Sequence, residues 1–579
     1  MQKINRNIIM IFIFALISFM YTMLLIKVGT LGLTADSSFH FSRVEEIYWN
    51  LKSHHFFTFI ASRTFNHTGV GNFLFYPVVF LYPWAFLRFL FNPITAFFMW
   101  YGFFIFCTLI IAYYSMLDFS KNKNRSLMFS LIYTIAPYHL HLGVYNYVLG
   151  EFIAYTFLPL VFLGVYHVLW KDIRKWPLLA IGISLLLYSH LLSVYLVSLL
   201  LIVLILSKVI IQRSFDLKRL LALVKSVFLC LLLSGFILVP FITDFIGKDL
   251  TVPQKGFGWL MSMQQLVEPS ISNTISINRS VGIVVLITAL IGWYFVKEDR
   301  TEKYIYIIGI TFLFAATTVV PWQLFNHNSL MLKLIGEIQF PYRLNAYSSF
   351  FLSVIASLIV TRFVEQLKTR YLKNLTLLAF VFISFIGYYG SIQPVFDRIA
   401  VFNNNYLMKS KDEKVALPIN SLVNKKNYND IFTYLVLFGE TDYYPRQATN
   451  LVTIYNQSIY DNQIFLGRKI IKVQPQVEPN TIIYTIHKSK AEQHINLPII
   501  AYTGSVVKIN GEKVSYTNSF RNTIQVKTAS RLSRITVSYQ PSRVYYISII
   551  ISILSWIVLL MRILFRGDKS AKLFHVRFK

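Results

Sequence analysis

LFYPVVFLYPWAFLRFLFN, residues 74–92, is apolar almost throughout, yet it carries Pro77, Pro83 and Arg88. Whether it crosses a membrane decides where every later segment lies. Read as a span, it places Lys121, Lys123 and Arg125 on the outer side, with all the following basic loops. Read as a helix lying in the interface, it places these three inside, together with Lys171, Arg174, Lys175, Arg213, Lys218, Arg219, Lys297, Arg300, Lys303, Arg362, Lys368, Arg370 and Lys373. Cytoplasmic loops are the ones enriched in Lys and Arg, and prolines with a mid-run arginine suit an interfacial segment. The second reading is therefore adopted. Both termini become cytoplasmic, in agreement with the basic tail Arg566, Lys569, Lys572, Arg577 and Lys579.

Composition supports a membrane setting. Of 579 residues, 55% are hydrophobic and only 14% charged, against about 25% charged in an ordinary soluble domain. A helix needs about 20 mostly apolar residues to cross the hydrocarbon core. Candidates are 7–27, 95–117, 127–143, 149–170, 219–242, 280–297, 304–322, 346–362, 374–391 and 545–565. The stretch 177–211 is too long for one span and is broken by Tyr188-Ser189-His190, so it is read as two helices meeting near His190. The expected fold is an all-α polytopic bundle of about twelve transmembrane helices plus interfacial helices. The first apolar run is longer than a signal sequence and lacks a small-residue cleavage pattern, so it is read as a retained helix.

The expected division is a membrane domain over 1–391, with a first outer loop at 28–73 and the interfacial segment 74–92. An extracytoplasmic domain follows at 392–544, then a last helix at 545–565 and a cytoplasmic basic tail at 566–579. The distal half of 392–544 alternates in β fashion (TIIYTI, SVVKING, TIQVKT, RITVSY), with Thr503-Gly504 and Asn510-Gly511 as turns. It is read as a small antiparallel sheet or sandwich. Cys107 and Cys230 both lie in apolar runs and indicate neither a disulfide framework nor a zinc site.

The first loop opens with Asp36-Ser37-Ser38-Phe39-His40-Phe41-Ser42-Arg43-Val44-Glu45-Glu46. In a helix, Asp36, His40, Arg43 and Glu46 share a face by i, i+3 and i+4 spacing. A carboxylate there can take a proton from a hydroxyl, while His40 and Arg43 can hold a phosphate. The plainer reading makes Asp36 a helix cap. Glu151 stands at the mouth of a span, where an acid is expensive unless solvated, paired or working; complementing the helix dipole is the plainer reading. Arg343 begins a span on the outer side, where the charge bias disfavours arginine. An anionic partner, whether a phosphate, Glu151 or Asp36, explains it, as does snorkelling to headgroups. His190 lies at the tip of the split hairpin, and His139 and His141 precede the turn before Glu151. The chain holds no GxxxxGK[ST], no HExxH and no cysteine pair, so ATPase, zinc-protease and redox readings lack support.

A first helix, an outer loop opening with an aspartate, interface helices and a many-helix bundle together resemble the glycosyltransferase-C (GT-C) superfold. More narrowly, ADSSFHFSRVEEI, NFLFYPVVFLYPWAFLRFL, YNYVLGE, LLLYSHLLS, QFPYRLN, DYYPRQA and LPIIAYTGSVVKINGEKV are similar to the bacterial membrane family labelled 6-pyruvoyl-tetrahydropterin synthase-related, akin to YfhO-type proteins. The resemblance covers nearly the whole chain. No metal-binding histidine set or soluble barrel supports pterin chemistry.

The resemblance implies transfer of a sugar from a polyprenyl-phosphate-linked donor to a cell-envelope glycan or lipid acceptor, on the outer face of the cytoplasmic membrane. Asp36 would be the general base or help to bind a metal, and Glu151 the second-loop acid. Arg43 and Arg343 would cradle the donor phosphate, with His40, His190 and Tyr145 lining the site. The loop carries Asp-Ser-Ser rather than a paired-acid motif, which favours a reaction without metal; no other cofactor is implied. The basic balance suits anionic lipids, and nucleic acid is not an expected partner. Two other classes stay open. A transporter or flippase of lipid-linked glycans predicts ionisable groups deep in the spans, where only Lys225 and Asp244 stand out. A non-catalytic wall-polymer accessory protein would tolerate loss of Asp36.

Overall fold

The structure, a computed structural model, describes residues 6–212, 216–253, 255–411, 415–446, 458–487, 493–528 and 531–565. Arg213, Gln447, Ala448 and the basic tail from Arg566 lie outside the described residues. The chain is mostly helical, with a β-rich region before its last helix.

Among the described residues, eight helices are long and apolar enough to cross a membrane, nine if one bent pair counts as a single span. The chain opens with α1 (Arg6–Val28), α2 (Ser37–Lys52, the first-loop helix, not a span), α3 (Pro93–Ser120), α4 (Lys123–Thr134) and α5 (Leu149–Trp170). They are followed by α6 (Pro177–Leu187), α7 (Leu191–Gln212), α8 (Leu217–Pro240), α9 (Ile283–Val296), α10 (Arg300–Ala315), α11 (Asn345–Gln366), α12 (Arg370–Val401) and α13 (Arg543–Phe565). The expected count of twelve spans is thus not confirmed. α6, α9 and α10 have 11, 14 and 16 residues; at 1.5 Å per residue they fall short of a hydrocarbon core about 30 Å thick. The span expected over 127–143 is the bent pair: α4 and Pro137–Tyr145 meet at 47°. Proline at 137 disfavours helical geometry at Ala136, which turns to ψ 128.

Local chemistry sets the helix ends and bends. Asn92 accepts from the backbone N–H groups of Ile94 and Thr95 as α3 begins, with Pro93 in its first turn. Pro159 inside α5 has no N–H for the carbonyl of Tyr155, and the Tyr133 hydroxyl donates to that carbonyl instead, at 2.6 Å.

Residues 74–92 form no span-length helix; the longest piece is Tyr82–Leu87. Phe86, Phe89 and Leu90 are exposed. Arg88 points inward. It pairs with Glu45 at 2.5 Å and lies over the rings of Tyr48 and Tyr428.

One end of the bundle gathers the basic connections. Asp118 at the end of α3 takes Lys121, Lys175 and His167, and Arg125 forms a two-pronged pair with Glu302 at 2.7 and 2.9 Å. The other end carries α2 and the β-rich region.

That region is not the single unit expected over 392–544. α12 runs ten residues beyond 391, because Ile392, Val395 and Ile399 keep an apolar face for the core. Residues 402–411 and 415–446 then pack onto the first loop, where β1 (Thr30–Gly32) pairs antiparallel with β2 (Leu422–Asn424). A sandwich follows, made of β3 (Gln463–Leu466), β4 (Lys469–Lys472), β5 (Gln476–Glu478), β6 (Thr481–His487), β7 (Gln493–Ile500), β8 (Ser505–Ile509), β9 (Glu512–Val514), β10 (Thr517–Asn518), β11 (Thr523–Thr528) and β12 (Leu532–Tyr539). Its two antiparallel sheets run β10-β11-β7-β3-β4 and β5-β6-β12-β8-β9. Inward residues such as Ile464, Ile482, Ile495, Ile524, Ile535 and Val537 form a core of their own. The sandwich is docked on the bundle: Asn480 binds the backbone of Phe57 and Phe59, Ile500 donates to Thr68, and Tyr539 donates to Asp244.

Candidate functional site

Asp36 occupies the capping position of α2, but its side chain accepts no capping hydrogen bond. The helix start is held otherwise: Ser37 donates its backbone N–H to Thr34, whose own N–H goes to the Ser37 hydroxyl. The Asp36 carboxylate makes no hydrogen bond among the described residues. It is half-buried and lies within electrostatic reach of Arg343, Asp442 and Glu151. Burial pushes its pKa up to about 6; Arg343 opposes the rise, while Asp442 and Glu151 add to it. A carboxyl so placed exchanges a proton near neutrality.

Glu151 and Arg343, both within electrostatic reach of Asp36, face each other. Arg343 Nε stands 3.6 Å from Glu151 Oε2, beyond direct hydrogen-bond range. Tyr138 donates to Glu151 Oε1 at 2.6 Å. Arg343 Nη1 donates to the Gln339 side chain at 2.9 Å, and the guanidinium lies over Phe340. Nη2 of Arg343 makes no hydrogen bond among the described residues, which leaves donors for an anion. Glu151 is thus engaged by Tyr138 and paired with Arg343, unlike the Asp36 carboxylate.

His40, Arg43 and His190 gather around Tyr76. The His40 ring meets Tyr76 edge-on at 5.8 Å, and His190 lies 6.1 Å from it on another side. Gly150 makes this packing possible, since a side chain there would run into the Tyr76 hydroxyl and His190. Nδ1 of His40 finds no hydrogen-bond partner among the described residues. Burial, then the charge of Arg43, holds its pKa well below the ordinary histidine value, so His40 is neutral. Arg43 donates Nη2 to the carbonyls of Tyr76 and Pro77 at 2.7 and 2.9 Å and is flanked by the rings of Phe39, Phe73 and Tyr76. Its Nε and Nη1 lack partners among the described residues, and burial lowers its pKa to about 10. The cavity beside His40 and Arg43 measures only about 10 Å³, room for about one water. In this arrangement Arg43 pins the Tyr76-Pro77 corner; a phosphate does not fit beside it.

Two expected residues stand apart. Glu46 turns to the loop, taking the backbone N–H groups of Ser62, Arg63 and Thr64 and both hydroxyls. The Tyr145 ring lies under Arg398 at 3.7 Å, and its carbonyl accepts from Thr34 and Arg398. His139 stacks between Phe152 and Tyr155 and donates to Thr134, and His141 donates to Ile275.

Tyr76, Tyr138, Gln339 and Asp442 belong to the site without having been singled out as site residues. Asp442 arrives on the covering segment 435–446, where Leu437 donates to the Ser38 hydroxyl and Gly439 lies on the Phe39 ring. Burial raises the Asp442 pKa to about 6. The DYYPRQA motif was the available signal for this acid. Among the described residues, no three His, Cys, Asp or Glu side chains are grouped to hold a metal ion. Comparison of the chain with protein-family models and with curated proteins gives no match.

Proposed function

We propose that the protein is a GT-C-type membrane glycosyltransferase, related to the YfhO-type family. On this reading it moves a sugar from a polyprenyl-phosphate donor to a glycan or lipid acceptor at the outer face of a bacterial cytoplasmic membrane. The observation that carries the reading is the uncommitted Asp36 carboxylate, its pKa raised to about 6, within electrostatic reach of an arginine that has donors to spare.

In the reaction, Asp36 takes the proton of the acceptor hydroxyl as its oxygen bonds to the anomeric carbon. The bond from that carbon to the phosphate oxygen breaks, and polyprenyl phosphate departs as an anion. Arg343, oriented by Glu151 and Gln339, receives that charge. Clustering of the basic connections at the far end supports an inner position for that end and an outer one for Asp36 and the sandwich. The transport alternative gains little from Asp244, which is engaged by Thr243, Gly504 and Tyr539.

The test is to supply membranes containing the full chain with polyprenyl phosphates carrying radiolabelled sugars. Chain-dependent appearance of label in lipid or envelope glycan is the expected result. Label that stays on the donor with every sugar tried, while donor crosses the bilayer in a chain-dependent way, would replace transfer with transport.

A further inference from the structure

Twenty residues along from Glu151, about 30 Å at the rise of an α-helix, α5 ends beside a cavity of about 410 Å³. The volume lies within the range of pockets that hold small organic ligands. Its walls are apolar, with Phe119, Phe162, Leu163, Leu204, Phe350 and Phe351 among them. Lys171, Lys208 and Arg300 also line it, and no Asp or Glu does. Lys171 and Arg300 are exposed and mark the opening. The three cations lie near the rings of Tyr166, Trp170 and Tyr304, and Lys208 donates to the carbonyl of Leu169.

None of these cations forms an ion pair among the described residues. The acids nearby are committed elsewhere: Glu302 to Arg125, Asp172 to Arg174, and Asp299 and Asp216 to helix starts. Three like charges around an apolar cavity, two exposed at its mouth and Lys208 buried in its wall, ringed by aromatic groups, are complementary to one ligand shape: a hydrocarbon chain with an anionic head at the membrane surface.

We propose that this cavity is a phospholipid site, holding one acyl chain against α5, α7, α10 and α11 and the phosphate between Lys171, Lys208 and Arg300. It stands independently of the chemistry at Asp36, from which it is separated by the length of α5.

The full chain, purified in detergent, is titrated with phosphatidylglycerol, phosphatidylcholine or polyprenyl phosphate, and the bound lipid is counted by native mass spectrometry. Phosphatidylglycerol binds in preference to phosphatidylcholine, and the exposed pair Lys171→Gln/Arg300→Gln weakens it at least ten-fold. Ser207→Trp, an exposed position that fills the cavity, removes binding, whereas Lys368→Gln/Arg370→Gln at the same end of the bundle changes nothing. Equal binding of the two phospholipids, equal loss from the Lys368/Arg370 pair, or preference for polyprenyl phosphate would overturn the assignment.

Discussion

Glu151 and Arg343 stand 3.6 Å apart, each held by a second group: Glu151 by the Tyr138 hydroxyl and Arg343 by Gln339. The pair is aligned without being closed into a two-pronged bridge, so an incoming anion can draw Arg343 away at little cost. Arg343→Lys keeps the charge and loses the fork. Its expected effect is a donor KM raised about ten-fold with a smaller fall in kcat, read from initial rates against donor concentration. Glu151→Gln removes the acid that orients Arg343 and so raises KM in the same direction; it also takes away one of the charges that lift the Asp36 pKa.

Acid should silence the reaction through Asp36. Its pKa is raised to about 6, so the base is protonated, and kcat/KM falls, as pH drops through about 6. Asp442 titrates in the same region, so Asp442→Asn is the control and keeps the acid limb. The stability sign runs the other way. A carboxyl whose folded pKa is raised contributes stability below about pH 4, which is lost as pH rises through 6. The melting temperature of Asp36→Asn relative to the parent therefore increases from pH 4 to pH 8.

Arg125 and Glu302 are both nearly buried and joined by two hydrogen bonds. Glu302→Ala leaves the guanidinium unpaired beside Ser357 and the Val354 carbonyl and should cost about 3–5 kcal/mol. Replacing both, Arg125→Met with Glu302→Leu, restores most of that loss. Unfolding in detergent measures each variant; equal loss from the single and double changes would contradict the account.

A fragment spanning 395–543 should be soluble and β-rich by circular dichroism, since the sandwich has its own core. Within it, amides of 402–446 should exchange quickly, because their partners Leu33, Ser38 and β1 are missing. Strong protection across 402–446 would show instead that this part folds alone.

What the sequence carried was periodicity and charge. Alternation along 481–486, 505–509, 523–528 and 534–539 identified four strands, and the turn at Asn510-Gly511 is realised with both residues at positive φ. β7 was hidden by Pro498, which sits where its pairing with β11 shifts register. Helix lengths were overstated because apolar runs continue past the last helical turn, as at Ala316-Thr317. In the site, spacing grouped Asp36, His40 and Arg43, but it could not show that Glu46 faces Ser62–Thr64. Nor could it show that Asp442, four hundred residues away, comes back over Phe39. Those placements depend on long-range packing.

On the proposed reading Asp36 is the base, and one substitution separates that role from capping. Asparagine caps a helix about as well as aspartate but does not take up a proton. Asp36→Asn should insert and accumulate like the parent and melt no lower at pH 8, yet lose transfer of labelled sugar from polyprenyl phosphate by roughly a hundred-fold or more. Transfer within a few-fold of the parent, from protein present at equal levels, would contradict the account.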